Sequence, residues 1–363
     1  MIRVLHINSS LSTNSGVMRV IMNYYGYIDK SEIRFDFMYY IESENSYKQA
    51  IENKNGKYYM VESPRKLIKF KKDLSAFFQQ HKDEYDIVHL HDVFLARFIY
   101  KIAKHNGVKK VIVHSHAAEW SSHFIGKIRN KLLCKNIQCF SDTYFACSEA
   151  AGDHVFKNLN YKVINNAVDL EKFSFSELKR TQLRQAMRLE GKIVIGHVGR
   201  FNPQKNHPFI IEVFNEIVKQ RSNAVLLLIG EGKLQQDIKT MVDKINLTDK
   251  VLFLNNRTDV NDLYSAMDVF FLPSLYEGLP MVGVEAQAAG LRCVMSENVT
   301  KEAAISDVTF LKLSDSIEVW ANEIIQKAES QRVTNASQTT KSKGFSITDE
   351  AKKLCDLYKQ LIS

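Results

Sequence analysis

No Cys-x-x-Cys pair occurs in the 363 residues, and the cysteines number five: Cys134, Cys139, Cys147, Cys293 and Cys355. An odd count without metal-ligand spacing argues against a disulfide framework and for buried, reduced thiols. No apolar run approaches the length that spans a bilayer. The chain opens Met1-Ile-Arg-Val-Leu-His-Ile7 without a basic segment leading into an apolar one. The expectation is a protein that begins at Met1 and works in the cytoplasm. Neither Gly-x-Gly-x-x-Gly nor Asp-x-Asp is present, and there is no internal repeat. Acidic residues are missing from Trp120 to Ser141.

What is present describes a soluble globular chain, 45% hydrophobic and 25% charged, long enough for two domains. The balance of 49 Lys+Arg against 41 Asp+Glu leaves a net charge of +8, which suits an anionic partner: nucleic acid, an anionic membrane surface or a phosphorylated substrate. The positive charge lies in patches without aromatic interleaving or a known module, which speaks against nucleic acid.

The first half alternates strand and helix signals. Residues 2–7 read as a strand, Asn8–Gly16 as a polar loop and Val17–Tyr27 as a helix. This is a first βα turn in which Gly16 allows close approach of a ligand, or an ordinary connection. Further strands are predicted at Phe35–Ile41, Tyr58–Val61, Ile87–Leu90, Lys110–His114 and Thr143–Ala146, with helices at Leu67–His81 and Leu95–His105. That alternation predicts a mostly parallel sheet. His89 and His91 close one strand, and His114 and His116 close another, where ligands bind in open α/β sheets. His-x-His on a strand also suits a metal, but no third ligand is spaced for it, and the prediction is no metal. The segment 121–135, with Lys127, Arg129, Lys131 and Lys135 among apolar residues, is a basic amphipathic helix. It either lies on an anionic membrane or turns its apolar side to the core.

Asn165–Phe173 reads as a hinge, and a charged helical segment runs on to Glu190. A second series follows, with strands at Ile193–Val198, Val225–Ile229, Val251–Leu254, Val269–Leu272 and Cys293–Met295, and helices at His207–Gln220, Lys233–Ile245, Asp259–Met267 and Met281–Gly290. Two such units create a cleft between them. Gly199-Arg-Phe-Asn-Pro-Gln-Lys-Asn206 places Arg200 and Lys205 in one loop, a planar fork and a point charge suited to a diphosphate. Leu272–Gly290 carries Glu277 in a loop and Glu285 in the following helix, whose N-terminus can face an anion. Beyond Asp307 the reading is a helix at Ile317–Ala328, a Ser/Thr/Gln-rich loop at 329–344 and an amphipathic helix at Ile347–Ile362.

Gly-Arg-Phe-Asn-Pro-Gln-Lys-Asn at 199–206, Glu-Gly-Leu-Pro-Met-Val-Gly-Val-Glu-Ala at 277–286 and Asn165–Phe173 together resemble the retaining, nucleotide-sugar-dependent glycosyltransferases of family 4. The form Glu-Ala-Gln-Ala-Ala-Gly-Leu is most similar to bacterial capsular and exopolysaccharide transferases. The resemblance implies an α/β chain of the GT-B fold, two Rossmann-like domains facing a central cleft. It places the N-terminal acceptor-binding domain at 1–168, with 345–363 packing back on it, and the nucleotide-sugar-binding domain at 169–344. The implied donor-binding residues are Gly16, Gly199, Arg200, Lys205, Arg257, Glu277, Gly278, Leu279 and Glu285. The catalytic set is His116, Arg200, Lys205 and Glu277, with His114 as the alternative histidine. Arg200 and Lys205 match the diphosphate pair, Glu285 the ribose ligand, and Glu277 and His116 the contacts to the transferred sugar. Two departures stand out: Ser15 precedes Gly16 where the family often has two glycines, and Asn255-Asn-Arg257 replaces Leu-Gly-x-Arg.

The activity so implied is transfer of a sugar from a nucleoside diphosphate, UDP foremost, to a hydroxyl of a lipid-linked or polysaccharide acceptor. The anomeric configuration is retained by front-face attack, without a cofactor. The absence of Asp-x-Asp leaves Arg200 and Lys205 to stabilise the leaving diphosphate in place of a metal ion. A sugar-nucleotide epimerase of the same fold and a non-catalytic nucleotide-sugar-binding subunit are the competing readings.

Overall fold

A computed structural model describes residues 1–116 and 124–363. The chain divides into two compact units, one of Met1–Ala167 with Ile347–Ser363 and the other of Val168–Ser346. In the first, seven parallel strands are β1 (Ile2–Ile7), β2 (Ile33–Tyr39), β3 (Tyr58–Met60), β4 (Ile87–Leu90), β5 (Lys110–Ser115), β6 (Thr143–Ala146) and β7 (Lys162–Val163). Their order across the sheet is 3-2-1-4-5-6-7. In the second, six strands are β8 (Ile193–Val198), β9 (Ala224–Ile229), β10 (Val251–Phe253), β11 (Val269–Leu272), β12 (Arg292–Ser296) and β13 (Val308–Leu311). Their order is 10-9-8-11-12-13, again parallel throughout. Each sheet therefore reverses direction once, between β1 and β4 and between β8 and β11. These are the points where a doubly wound sheet opens a crevice at the carboxyl ends of its strands.

The central strands are continuous apolar runs because helices cover both faces. Every residue of β9 is buried. Against the second sheet, helix His207–Gln220 turns inward Ile210, Ile211, Val213, Phe214 and Ile217, and Trp320 is fully buried with its indole N–H donating to the Lys312 carbonyl at 3.0 Å. Helix Glu177–Ala186 buries no residue at all. It is held electrostatically instead, by Arg180 and Arg184 on the Asp268 carboxylate, which also accepts the Val194 N–H at 2.8 Å. In the first unit, the last helix, Ile347–Ile362, buries Ala351, Leu354, Cys355 and Tyr358 and packs on helix Gly16–Tyr27. Burial of a leucine such as Leu354 contributes about 1.5–3 kcal/mol.

The stretch 329–344 is not all loop: Ala336–Ser342 is a helix packed on helix Met281–Ala288, with Thr340 buried and its hydroxyl donating to the Ala336 carbonyl. Its polar composition hides a helix that tertiary packing stabilises. Strands β7 and β13 and helices Lys48–Glu52 and Glu149–Phe156 were not legible, being too short to show a period. Cys139 is exposed, whereas the other four thiols are buried and all are free. Of the basic stretch 121–135, residues 121–123 lie outside the described residues, and Phe124–Leu133 is helical. On it Lys127, Arg129 and Lys131 are exposed, and so are Ile128 and Leu132. Those two apolar side chains do not serve the core. Among the described residues no helix is long and apolar enough to cross a membrane.

Candidate active site

In the second unit, the two loops leaving β8 and β11 at the reversal point are tied together. Asn202 closes the short 3-10 turn Pro203–Lys205 by accepting the Lys205 N–H, and Asn206 takes a left-handed conformation before the next helix. Three bonds then join the loops: Leu275 N–H to the Gln204 carbonyl at 2.8 Å, the Gln204 amide to the Tyr276 carbonyl at 3.0 Å, and the Asn206 amide to the Pro273 carbonyl at 3.2 Å. Across this junction Lys205 Nζ meets Glu277 Oε1 at 2.6 Å, and Ser274 Oγ donates to the same oxygen at 3.1 Å. The two charged side chains are only 13% and 11% exposed. A pair so enclosed is costly to break one-sidedly, so any anion that engages Lys205 must come with a donor for Glu277.

Glycines make the floor of this loop. A Cβ on Gly230, where φ is +135°, would lie 2.2 Å from the Gly199 carbonyl oxygen, and one on Gly232 would lie 2.3 Å from that of Phe201. Gly199 itself would press a Cβ to 2.8 Å from His197 Nε2. The Gly230-Glu-Gly232 turn is thus required for backbone to stack on backbone beneath Arg200, which stands exposed at the loop's edge.

Glu285 is 2% exposed, and its Oε2 accepts the Tyr264 hydroxyl at 3.0 Å. Leu279 is buried and Gly278 half-buried in the loop before helix Met281–Ala288, whose N-cap is Pro280. Arg257 is exposed and bidentate on Asp259 at 2.8 and 2.6 Å, so its charge is already matched. In the first unit, Gly16 begins helix Gly16–Tyr27 behind the Ser15 cap, and nothing lies within 4 Å of where its Cβ would be. No internal packing there asks for glycine.

The histidines of the first unit form a ladder larger than the sequence suggested. Parallel pairing sets His6 opposite His89, and His89 opposite Ile112, so His6, His89, His91, His114 and His116 share one face. Two rows of hydrogen bonds result. In one, His6 Nδ1 meets His91 Nε2 at 2.9 Å, and His91 Nδ1 meets His116 Nε2 at 2.8 Å. In the other, the Tyr358 hydroxyl meets His89 Nδ1 at 2.7 Å, and His89 Nε2 meets His114 Nδ1 at 3.1 Å. The rows stack: His89 on His91 at 4.5 Å and His114 on His116 at 4.0 Å. His6 was missed because only the strand order brings β1 beside β4. His114 is 3% exposed with Nδ1 engaged, whereas His116 is half-buried at the strand end, which favours His116 as the ring that can meet a ligand.

The expectation that no third ligand accompanies a His-x-His pair is corrected: ligand nitrogens of His6, His89 and His91, and of His91, His114 and His116, lie within 4.8 Å of one another. Three of the N···N contacts in these groups, His6–His91, His91–His116 and His89–His114, are hydrogen bonds between rings, which occupy one nitrogen of each partner. Burial drives every ring toward its neutral form, His6 and His116 down to about 3 and His89, His91 and His114 well below the usual imidazole range.

Comparison with known proteins bears on both units. The family Glycosyltransferase Family 4 matches residues 15–172, and the family Glycosyl transferases group 1 matches residues 179–342. The chain is 33% identical over 342 residues to the putative glycosyltransferase EpsF of Bacillus subtilis (strain 168), spanning 91% of this chain and 88% of that one. It is 29% identical over 324 residues to the UDP-Gal:alpha-D-GlcNAc-diphosphoundecaprenol alpha-1,3-galactosyltransferase of Escherichia coli, covering 82% and 81% of the two chains. In fold it is similar to Anabaena Alr3699/HepE, solved in complex with UDP, with a TM-score of 0.80 at 17% identity over 99% of this chain and 100% of that one.

The ladder makes a pH-dependent stability. Imidazole values are depressed below about 6.5 on folding, so the neutral ladder contributes in full above that pH and is lost as pH falls toward about 3. Each ring costs about 1.4 kcal/mol per pH unit once below its unfolded value. Hydrogen exchange of β1, β4 and β5 should accelerate between pH 7.5 and 5.5 after correction for intrinsic rates. A variant with His89→Gln and His114→Gln should show a shallower dependence. Equal protection at both pH values in the unaltered protein would contradict this account.

Proposed function

The chain belongs to the bacterial exopolysaccharide-type glycosyltransferases with the GT-B fold, and on that footing we propose what it transfers and how. It moves a hexosyl or N-acetylhexosaminyl group from a UDP-sugar to a hydroxyl of a lipid-linked or polysaccharide acceptor in capsule or exopolysaccharide synthesis, with the anomeric configuration retained. The observation that carries this reading is the enclosed Lys205–Glu277 pair at the reversal point of the second sheet. A nucleotide sugar presents what that pair needs, diphosphate oxygens for Lys205 and sugar hydroxyls for Glu277. The name of the Escherichia coli relative supplies the donor and acceptor classes, UDP-Gal and a diphosphoundecaprenol-linked sugar.

In this mechanism Arg200 and Lys205 hold the diphosphate, with Gly199 allowing its close approach. Glu285, buried and oriented by Tyr264, accepts the ribose hydroxyls. Glu277, Gly278 and Leu279 surround the sugar, and His116 hydrogen-bonds one of its hydroxyls. Gly16 and Arg257 contribute further donor contacts, Arg257 after exchanging Asp259 for phosphate. The departing phosphate takes the acceptor proton as the hydroxyl attacks from the same face, so neither glutamate acts as a nucleophile, in contrast to the double displacement of retaining glycosidases. Release of UDP that depends on an acceptor separates this activity from epimerisation and from mere binding, and a panel of nucleotide sugars assayed with lipid-linked acceptors tests it.

Arg200→Ala and Lys205→Ala should each lower turnover by about 10²–10³-fold if both stabilise leaving-group charge. Near-native rates in both variants would sink the assignment. Because two fixed cations take the place of a divalent ion, UDP release should persist undiminished in EDTA; a strict requirement for added metal would contradict that. The exposed Lys127, Arg129, Lys131, Ile128 and Leu132 support peripheral attachment at the inner face of the cell membrane. Charge reversal at the three basic residues should abolish co-sedimentation with phosphatidylglycerol vesicles, and unchanged binding would refute the attachment.

A further inference from the structure

The first histidine row has a direction, and the direction is set at its buried end. His6 Nδ1, His91 Nε2, His91 Nδ1 and His116 Nε2 form two consecutive N···N bonds of 2.9 and 2.8 Å. A neutral imidazole carries one hydrogen, so each contact takes its hydrogen from one side, and three neutral rings allow only two concerted patterns. If the hydrogens point toward His6, its Nε2 must carry the last N–H. That atom is buried and has no hydrogen-bond partner among the described residues. The ring centroids of His6 and Phe35 are 4.1 Å apart, and the small cavity of about 20 Å³ beside the ladder is lined, besides the histidines, by Val20, Ile21, Phe35, Ile164, Leu354 and Tyr24, whose hydroxyl is already engaged, donating to the Asn165 carbonyl at 2.7 Å. Orphaned buried N–H groups are rare in native proteins, and a bare acceptor is tolerated more readily. The opposite pattern leaves only a lone pair at His6 Nε2. His6 then donates from Nδ1 to His91 and His91 from Nδ1 to His116, which leaves the hydrogen of His116 on its own Nδ1.

We infer that His6 and His91 are positioning residues that hold His116 as its Nδ1–H tautomer, so that the ring presents a hydrogen-bond donor, not an acceptor, to an oxygen of the transferred sugar. This rests on the reading above that His116 meets that sugar. The second row supports the first mechanically. His89 lies on His91 and His114 on His116, at interplanar angles of 18° and 28°, so neither His91 nor His116 can turn its ring over without displacing a stacked neighbour. Tyr358, on the last helix, anchors that second row through His89. The depressed titration of all five rings keeps them neutral at physiological pH, which is what a fixed tautomer requires.

The amide side chains make the test selective, because Asn places its N–H₂ near the position of Nδ1 and Gln near that of Nε2. Histidine-labelled ¹⁵N protein, read by long-range ¹H–¹⁵N correlation, reports which nitrogen of His116 bears the hydrogen, with its resonance assigned by loss in His116→Phe. Nδ1–H is expected in the unaltered protein and in His91→Asn, which keeps the donor toward His116. His91→Gln removes that donor, and His116 should shift toward the other tautomer. A dominant Nε2–H form in the unaltered protein, including one imposed by a water donating in the reverse sense, would overturn the inference. Turnover is read as UDP release, with whichever of UDP-galactose, UDP-glucose and UDP-N-acetylglucosamine is turned over fastest. His91→Gln should then lower kcat about tenfold relative to His91→Asn, the worth of one hydrogen bond, with donor KM changing by less than about threefold. At the ligand end, His116→Asn should exceed His116→Gln in kcat by a similar factor. Equal losses in each pair would also overturn it. If the tautomer is Nδ1–H but His116→Phe retains full turnover, the fault lies in the contact assigned to His116 and not in the direction of the row.

Discussion

Each sheet of this protein reverses its winding once, and the proposed chemistry depends on that reversal. Where β8 and β11 lie side by side, their outgoing loops leave toward opposite faces and expose their carboxyl ends. The second unit closes that opening with three inter-loop hydrogen bonds and one ion pair, Lys205 to Glu277. The glycines at 230 and 232 are consequences of the same constraint, since a side chain there would push the two layers of backbone apart, while one at 199 would press on His197 and Lys205. A site built from loop ends gains its rigidity from the sheet beneath it.

The first unit uses its own reversal point differently. Strands β1, β4 and β5 turn five imidazoles to one face, with aromatic and aliphatic residues of helices Gly16–Tyr27 and Ile347–Ile362 around them. A charged ring in that setting would lose its hydration without a compensating anion, so the group stays neutral and bonds to itself. Such a ladder is expensive to assemble from an extended chain, because its members come from three strands and, through Tyr358, from the far C-terminus. Its hydrogen bonds fix where each hydrogen lies, which an isolated histidine at a strand end cannot do.

Similarity along 91% of the chain to EpsF establishes the family, while the likeness to Anabaena HepE at 17% identity concerns the fold alone. Lys205 on Glu277, Tyr264 on Glu285 and Arg257 on Asp259 give each carboxylate a different environment. Glu277 shares its charge with a cation, whereas Glu285 receives a hydroxyl in an enclosed position. Two such groups are suited to holding hydroxyls of separate parts of one ligand rather than to exchanging protons with each other.

The amino-acid sequence by itself determined the alternation of strand and helix, because short apolar runs and the 3.6-residue period between them are written in the order of apolar residues and need no partner to be read. It also determined the cation loop at 199–206 and the glutamates at 277 and 285, since their spacing is local to one strand–loop–helix unit. Only the tertiary structure decided the rest. It placed His6 beside His91, because strand order is a property of the sheet and not of any segment. It made a helix of Ala336–Ser342, whose polar residues carry no period and whose stability comes from the helix it packs on. And it paired Lys205 with Glu277 across 72 positions of chain, because an ion pair records distance in space, which the order of residues does not contain.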